Sequence, residues 1–209
     1  MLLNPNKTLI LAPHPDDAEF GCGGTIAKLL NQGRDVSVMV FSKVNPAINP
    51  PETLTVELNE SMRRFGVIRT AVKVYDFPMR RLNYVRQDIL QELMDVKDEI
   101  DPDLVFIPSP NDVHMDHLTI SQEGLRAFKG VTTLGYELPW NNFNFKTQVF
   151  VELNAADVEC KISAIEAYES QAHKKYASPK FIKALAVTRG VQIGFDYAEA
   201  FEGIRCVLK

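Results

Sequence analysis

Cysteine is scarce in this chain. Cys22, Cys160 and Cys206 are the only three, too few and too scattered for a disulfide framework. No apolar run approaches the roughly 20 residues needed to cross a bilayer. Positive charge is in deficit, and a net charge of -4 argues against nucleic acid or an anionic membrane as the main partner. Met1-Leu-Leu-Asn-Pro-Asn-Lys7 has no basic stretch leading into an apolar run of signal-peptide length, so a cytoplasmic location is expected. Internal repeats, low-complexity tracts and linkers are absent, and 209 residues fit one domain, 1–209, with a sizeable core.

Histidine is also sparse, with four in the chain, yet three of them fall in two short segments. Leu9-Ile-Leu-Ala12 is an apolar run with the signature of a buried strand. His14, Asp16 and Asp17 follow at its carboxyl end, where open α/β sheets place their chemistry. Far downstream, Leu104-Val-Phe-Ile107 repeats the strand pattern, and His114, Asp116 and His117 repeat the chemistry. A lone Asp in such a place reads as a helix cap. Histidines and carboxylates packed after two buried strands suit a divalent metal and an activated water better. The two adjacent carboxylates, Asp16 and Asp17, have no nearby cation in sequence, so each needs a proton, a metal or water.

Between these segments, apolar patterns alternate between strand and helix. Strands are predicted at 7–12, 36–41, 72–75, 104–107, 131–136 and 148–153. Helices are predicted at 25–32, 54–65, 86–100, 117–128 and 154–168. Arg86–Ile100 is the clearest, with Ile89, Leu93, Val96 and Ile100 on one face. A further helix over 181–187 and a closing strand over 198–208 complete the pattern. The alternation predicts βαβ units and a parallel sheet. Gly23 and Gly24 are expected to let the backbone pass close to the site before the first helix begins. Cys22 beside them reads as a small packed residue.

Three loops can contribute to a binding rim. Ser42–Pro51 follows a strand end. Arg80 and Arg81 sit together after another, and either could bind an anionic substrate group. Trp140, the single tryptophan, stands beside Asn141 and Asn142, a combination that suits a sugar face and its hydroxyls or simply a packed loop. His173 is too isolated in sequence to assign as a ligand.

The pair His14-Pro-Asp-Asp17 with Gly23-Gly24, and His114-Met-Asp-His117, resembles the PIG-L/LmbE-like zinc-dependent de-N-acetylases. Asp76-Phe-Pro-Met-Arg-Arg81, Gly135–Asn142 and Tyr168-Glu-Ser-Gln-Ala-His173 look like features of one bacterial subgroup. The resemblance implies a Rossmann-like three-layer α/β sandwich with a mostly parallel sheet. It implies hydrolytic removal of an acetyl group from an N-acetylglucosamine-type sugar, a small-molecule substrate. Zinc, or another divalent metal, would be held by His14, Asp17 and His117. Asp16 would be the general base toward the attacking water. His114 would stabilise the oxyanion or protonate the leaving amine, and Asp116 would orient a histidine. Residues of this chain alone do not decide between Asp16 and Asp17 as the ligand. Members of the family often form oligomers, so a homo-oligomer is an expectation. Ala18 and Leu54 depart from the family pattern, where Glu and Arg are common. Two other readings compete: a two-metal phosphoesterase, which needs more ligands than the sequence offers, and a non-catalytic metal-stabilised binding protein, which leaves Asp16 and His114 without a task.

Overall fold

The computed structural model describes residues 5–43, 50–66 and 70–207. Strands β1 (Lys7–Ala12), β2 (Asp35–Val40), β3 (Thr70–Val74), β4 (Leu104–Pro108) and β5 (Thr132–Tyr136) pair in parallel, and β7 (Tyr197–Arg205) lies antiparallel between β5 and β6 (Val149–Leu153). The sheet order is β3-β2-β1-β4-β5-β7-β6. This is the mostly parallel three-layer α/β arrangement expected from the sequence.

Side chains alternate across the sheet, as strand geometry requires. Ile10 and Ala12 of β1 join one core with helices α1 (Asp17–Asn31), α2 (Thr53–Arg64), α5 (Ala155–Ile165) and α6 (Pro179–Val191). Leu9 and Leu11 face the other way, into a second core built on α3 (Arg86–Ile100) and α4 (Met115–Ala127). Both faces of β1 are therefore covered, which is why its sequence reads as an unbroken apolar run.

The first helix differs from expectation. It begins at Asp17, not near Thr25, and carries Gly21, Gly23 and Gly24 in its interior. Glycine costs a helix roughly 1 kcal/mol against alanine, but packing overrides that preference here. A Cβ on Gly21 would lie 2.4 Å from the Tyr136 ring, and one on Gly24 would lie 2.4 Å from Leu153 Cδ1. The glycines let the helix lie against buried side chains. Cys22 beside them is fully buried.

The last helix is longer than the predicted 181–187. Ser178 caps it by accepting the Phe181 N–H at 3.3 Å, and Pro179 opens it. Helix α5 ends at Ile165 rather than Tyr168, while its start at Asn154 forms a reciprocal capping box with Asp157. Residues 44–49 of the predicted Ser42–Pro51 rim loop lie outside the described residues.

Chain order runs outward in opposite directions from β1 and β4, neighbours in the sheet. The crevice past their carboxyl ends is the switch point at which open α/β sheets bind ligands.

Candidate metal and substrate site

Both histidine segments leave the sheet at that crevice. After β1 the chain turns through Pro13–Asp16 and enters α1. Asp16 adopts φ 90°, a left-handed conformation rare for a side chain other than glycine. It occupies the cap position of α1, yet its carboxyl makes no capping bond. The backbone is strained while the side chain is left without a partner in the helix, and it lines a cavity of about 230 Å³. Burial, then the neighbouring Asp17 charge, pushes the Asp16 carboxyl well above the usual range.

Asp17 turns back toward the loop. Its Oδ2 accepts the His14 backbone N–H at 2.8 Å and lies 3.2 Å from His14 Nδ1 and 3.3 Å from His117 Nε2. Burial opposes its charge, but His117 and His14 hold its carboxyl far below the usual range. The two ring nitrogens, His14 Nδ1 and His117 Nε2, lie 3.3 Å apart.

Each of these imidazoles is held from behind. His14 Nε2 lies 2.9 Å from Asp116 Oδ2, and His117 Nδ1 lies 2.8 Å from Asp112 Oδ2. Asp116 and Asp112 are buried. Asp112 also accepts the His114 N–H at 2.8 Å, fixing the turn before α4. His114 is the cap of α4, and its Nδ1 accepts the Asp116 N–H at 3.2 Å. The neutral His114 ring therefore carries its proton on Nε2. Burial and then the other two histidines lower its pKa. His14, His114 and His117 form a group that could hold a metal ion, each offering a ring nitrogen within 4.8 Å of the others.

The cavity brings together His14, Asp16, Asp17, His114 and His117 with Arg80 and Trp140. Arg81 and Asn142 do not line it. Arg81 is exposed and lines a separate shallow depression with Pro78, Tyr84 and Arg80, which is itself exposed and reaches both places. Asn142 shapes its loop instead, its Oδ1 accepting the Leu138 N–H at 2.7 Å, and the cavity wall is formed by Asn141. Trp140 is stacked on Tyr176 with centroids 3.9 Å apart and meets Phe20 edge to face at 5.2 Å. One face of the indole is thus already covered. His173 is exposed and away from the cavity. Beyond Trp140 a small cavity of about 30 Å³ has room for about one water, too little for a ligand.

Sequence reasoning missed Asp112, Gln171, Lys174 and Tyr176. Asp112 stands five residues before His117 in the same segment, and that position was the available signal. The other three come from a segment that two buried carboxylates dock onto the site. Glu19 accepts the Tyr168 O–H at 2.6 Å, and Glu57 accepts the Ser170 N–H at 2.8 Å and its O–H at 2.6 Å. No local pattern announces contacts across that much sequence.

Histidines able to hold a metal, set in an open polar cavity at the switch point of a mostly parallel sheet, define an α/β protein with a small-molecule site. The chain belongs to the GlcNAc-PI de-N-acetylase family (PIG-L), whose pattern matches residues 9–128. It is 27% identical to the uncharacterized deacetylase YaiS of Escherichia coli K12, over 81% of this chain and 96% of that one. It is also 27% identical to the diacetylchitobiose deacetylase of Thermococcus kodakarensis, over 96% and 83% of the two chains. The crystal structure of the conserved protein TT1542 from Thermus thermophilus superimposes with a TM-score of 0.81 at 27% identity, covering 97% of this chain and 96% of that one.

Proposed function

We propose that the protein is a zinc-dependent N-deacetylase acting on a small N-acetylated amino sugar or sugar conjugate. His14, Asp17 and His117 would hold the metal. The observation that carries this reading is the triangle formed by His14 Nδ1, Asp17 Oδ2 and His117 Nε2, with sides of 3.2, 3.3 and 3.3 Å. Tetrahedral zinc with bonds of about 2.0–2.1 Å sets its ligands about 3.3 Å apart. The three histidines taken together spread to 4.8 Å, so the tighter His-Asp-His set is the better cradle and His114 is free for another task. The carboxylates behind His14 and His117 orient those rings, as metal-binding histidines require. The same donor set accepts other divalent metals.

When bound, the metal supplies Lewis acidity toward the acetamide carbonyl and lowers the pKa of a water. Asp16 takes the proton from the attacking water as the new carbon–oxygen bond forms. Its carboxyl suits that role because no capping bond occupies it. The Nε2–H of His114 can donate to the developing oxyanion or to the departing nitrogen. The carbon–nitrogen bond then breaks, acetate leaves, and the amine keeps a proton. Asp116 acts through His14, holding that ring's tautomer. The two deacetylase relatives support this reaction over phosphoester hydrolysis.

The test is metal content of the purified protein together with acetate release from a panel of N-acetylated sugars, with and without chelator. About one metal per chain and chelator-sensitive release are expected. No metal even after reconstitution would undo the ligand assignment.

A further inference from the structure

Helix α1 is held from outside at one rung of its ladder. In an α-helix the Phe20 carbonyl is the regular partner of the Gly24 N–H, four residues on. Here the Phe20 carbonyl accepts from Lys161 Nζ at 2.6 Å, and the Gly24 N–H donates to Glu199 Oε1 at 2.9 Å. Lys161 Nζ and Glu199 Oε1 are themselves 2.7 Å apart, so the ion pair bridges the two ends of that rung. Glu199 Oε2 also accepts the Thr25 N–H at 2.7 Å and the Thr25 O–H at 2.6 Å. Lys161 comes from α5 and Glu199 from β7, and both are buried. Bare glycines admit them: a Cβ on Gly23 would lie 2.7 Å from Lys161 Cγ, and one on Gly24 would lie 3.2 Å from Glu199 Oε1.

A buried ion pair does little for stability alone. Desolvation can outweigh the attraction, and apolar side chains of similar volume often hold a fold as well. Unlike an apolar pair, this one bonds backbone next to the site. Phe20, whose carbonyl Lys161 holds, donates its own N–H to the Asp16 carbonyl at 3.0 Å. Asp16 is the residue at φ 90° whose carboxyl makes no capping bond. A strained backbone persists only where its surroundings over-determine it. One line of bonds therefore runs from Glu199 through Lys161 and Phe20 to Asp16. The Phe20 ring lines the same cavity, edge to face with Trp140 at 5.2 Å and Tyr176 at 5.4 Å.

We propose that Lys161 and Glu199 are positioning residues for Asp16: they fix Phe20, and through it the strained turn that presents Asp16 to the cavity. The proposal rests on the deacetylase reading for what Asp16 does, not for how it is held.

The experiment uses the metal-loaded protein carrying Lys161→Met with Glu199→Gln, which removes both charges together and leaves neither buried alone. Gly23→Ala is the second variant, since it displaces the Lys161 stem while keeping both charges and a good helix former. Amide hydrogen exchange needs no substrate. The Phe20 N–H should exchange about tenfold or more faster than in the parent, with Ile89 and Leu93 of α3 unchanged. The kcat for acetate release should fall about 10–100-fold, with KM within about twofold. In an Asp16→Asn background the same substitutions should cost far less, because no base is left to position; a pair that served stability alone would cost the same in both backgrounds. The proposal is overturned if Phe20 exchange is unchanged in both variants. It is equally overturned if exchange quickens while kcat holds, or if kcat falls equally in the two backgrounds. Faster Phe20 exchange, without acetate release from any sugar by the parent, would sink the deacetylase reading and leave the hold on Asp16 standing.

Discussion

His117 Nδ1 lies 2.8 Å from Asp112 Oδ2, so the opposite nitrogen, Nε2, is the one that meets Asp17 and His14. Burial disfavours a charged imidazole at this place. The Asp17 and Asp112 carboxylates outweigh it and raise the His117 pKa to about 10. Two carboxylates about one ring favour positive charge there, and a divalent cation satisfies that field as well as a proton does.

Replacing Asp112 by Asn keeps the shape but removes the charge behind His117. Metal affinity should drop about 10–100-fold. Competition against a chromophoric chelator measures it directly. Undiminished affinity would show that Asp112 serves only the turn before α4.

Asp16→Asn should bind metal as the parent does, since Asp16 is outside the proposed triangle of His14, Asp17 and His117. Acetate release should fall about a hundred- to ten-thousand-fold, the usual worth of a positioned base. Turnover within a few-fold of the parent would take Asp16 out of proton transfer.

Gly190, near the end of α6, lies against backbone. A Cβ there would sit 2.6 Å from the Phe195 carbonyl oxygen and 2.7 Å from the Tyr197 nitrogen. Main chain leading into β7 cannot swing aside as a side-chain tip can. Gly190→Ala should destabilise the fold by about 1–3 kcal/mol. Gly130→Ala, where a Cβ meets nothing within 4 Å, should change stability by less than about 0.5 kcal/mol. Denaturant melts of the two proteins give the comparison, and equal midpoints would mean the turn after α6 yields.

The strand–helix alternation was readable because β1 and β4 are apolar on both faces and α3 shows a clean inner stripe of Ile89, Leu93 and Val96. The histidine segments were readable because they closely follow those two strands. The start of α1 was not, since three glycines argue against a helix until Tyr136, Lys161 and Leu153 are seen pressing on them. Gln171, Lys174 and Tyr176 were hidden for a related reason. Their place in the cavity depends on hydrogen bonds from Tyr168 and Ser170 to Glu19 and Glu57, carboxylates on α1 and α2 more than a hundred residues earlier. Arg80 and Arg81 look alike in sequence; the pinned backbone at Arg80 separates them.

One carboxylate joins the two halves of the pocket. Asp116 accepts from the Arg80 N–H at 2.6 Å and the Leu82 N–H at 3.1 Å while Oδ2 holds His14 Nε2 at 2.9 Å. On the proposed ligand set, occupancy at His14 and the pose of the Arg80 loop would therefore be coupled equilibria. Whatever factor a ligand on that loop applies to cation affinity, the cation must return to the ligand. With a metal at the proposed His14 site, the loop and the imidazole would behave as one thermodynamic unit, and a change in loop sequence would be felt as a change in that metal's dissociation constant.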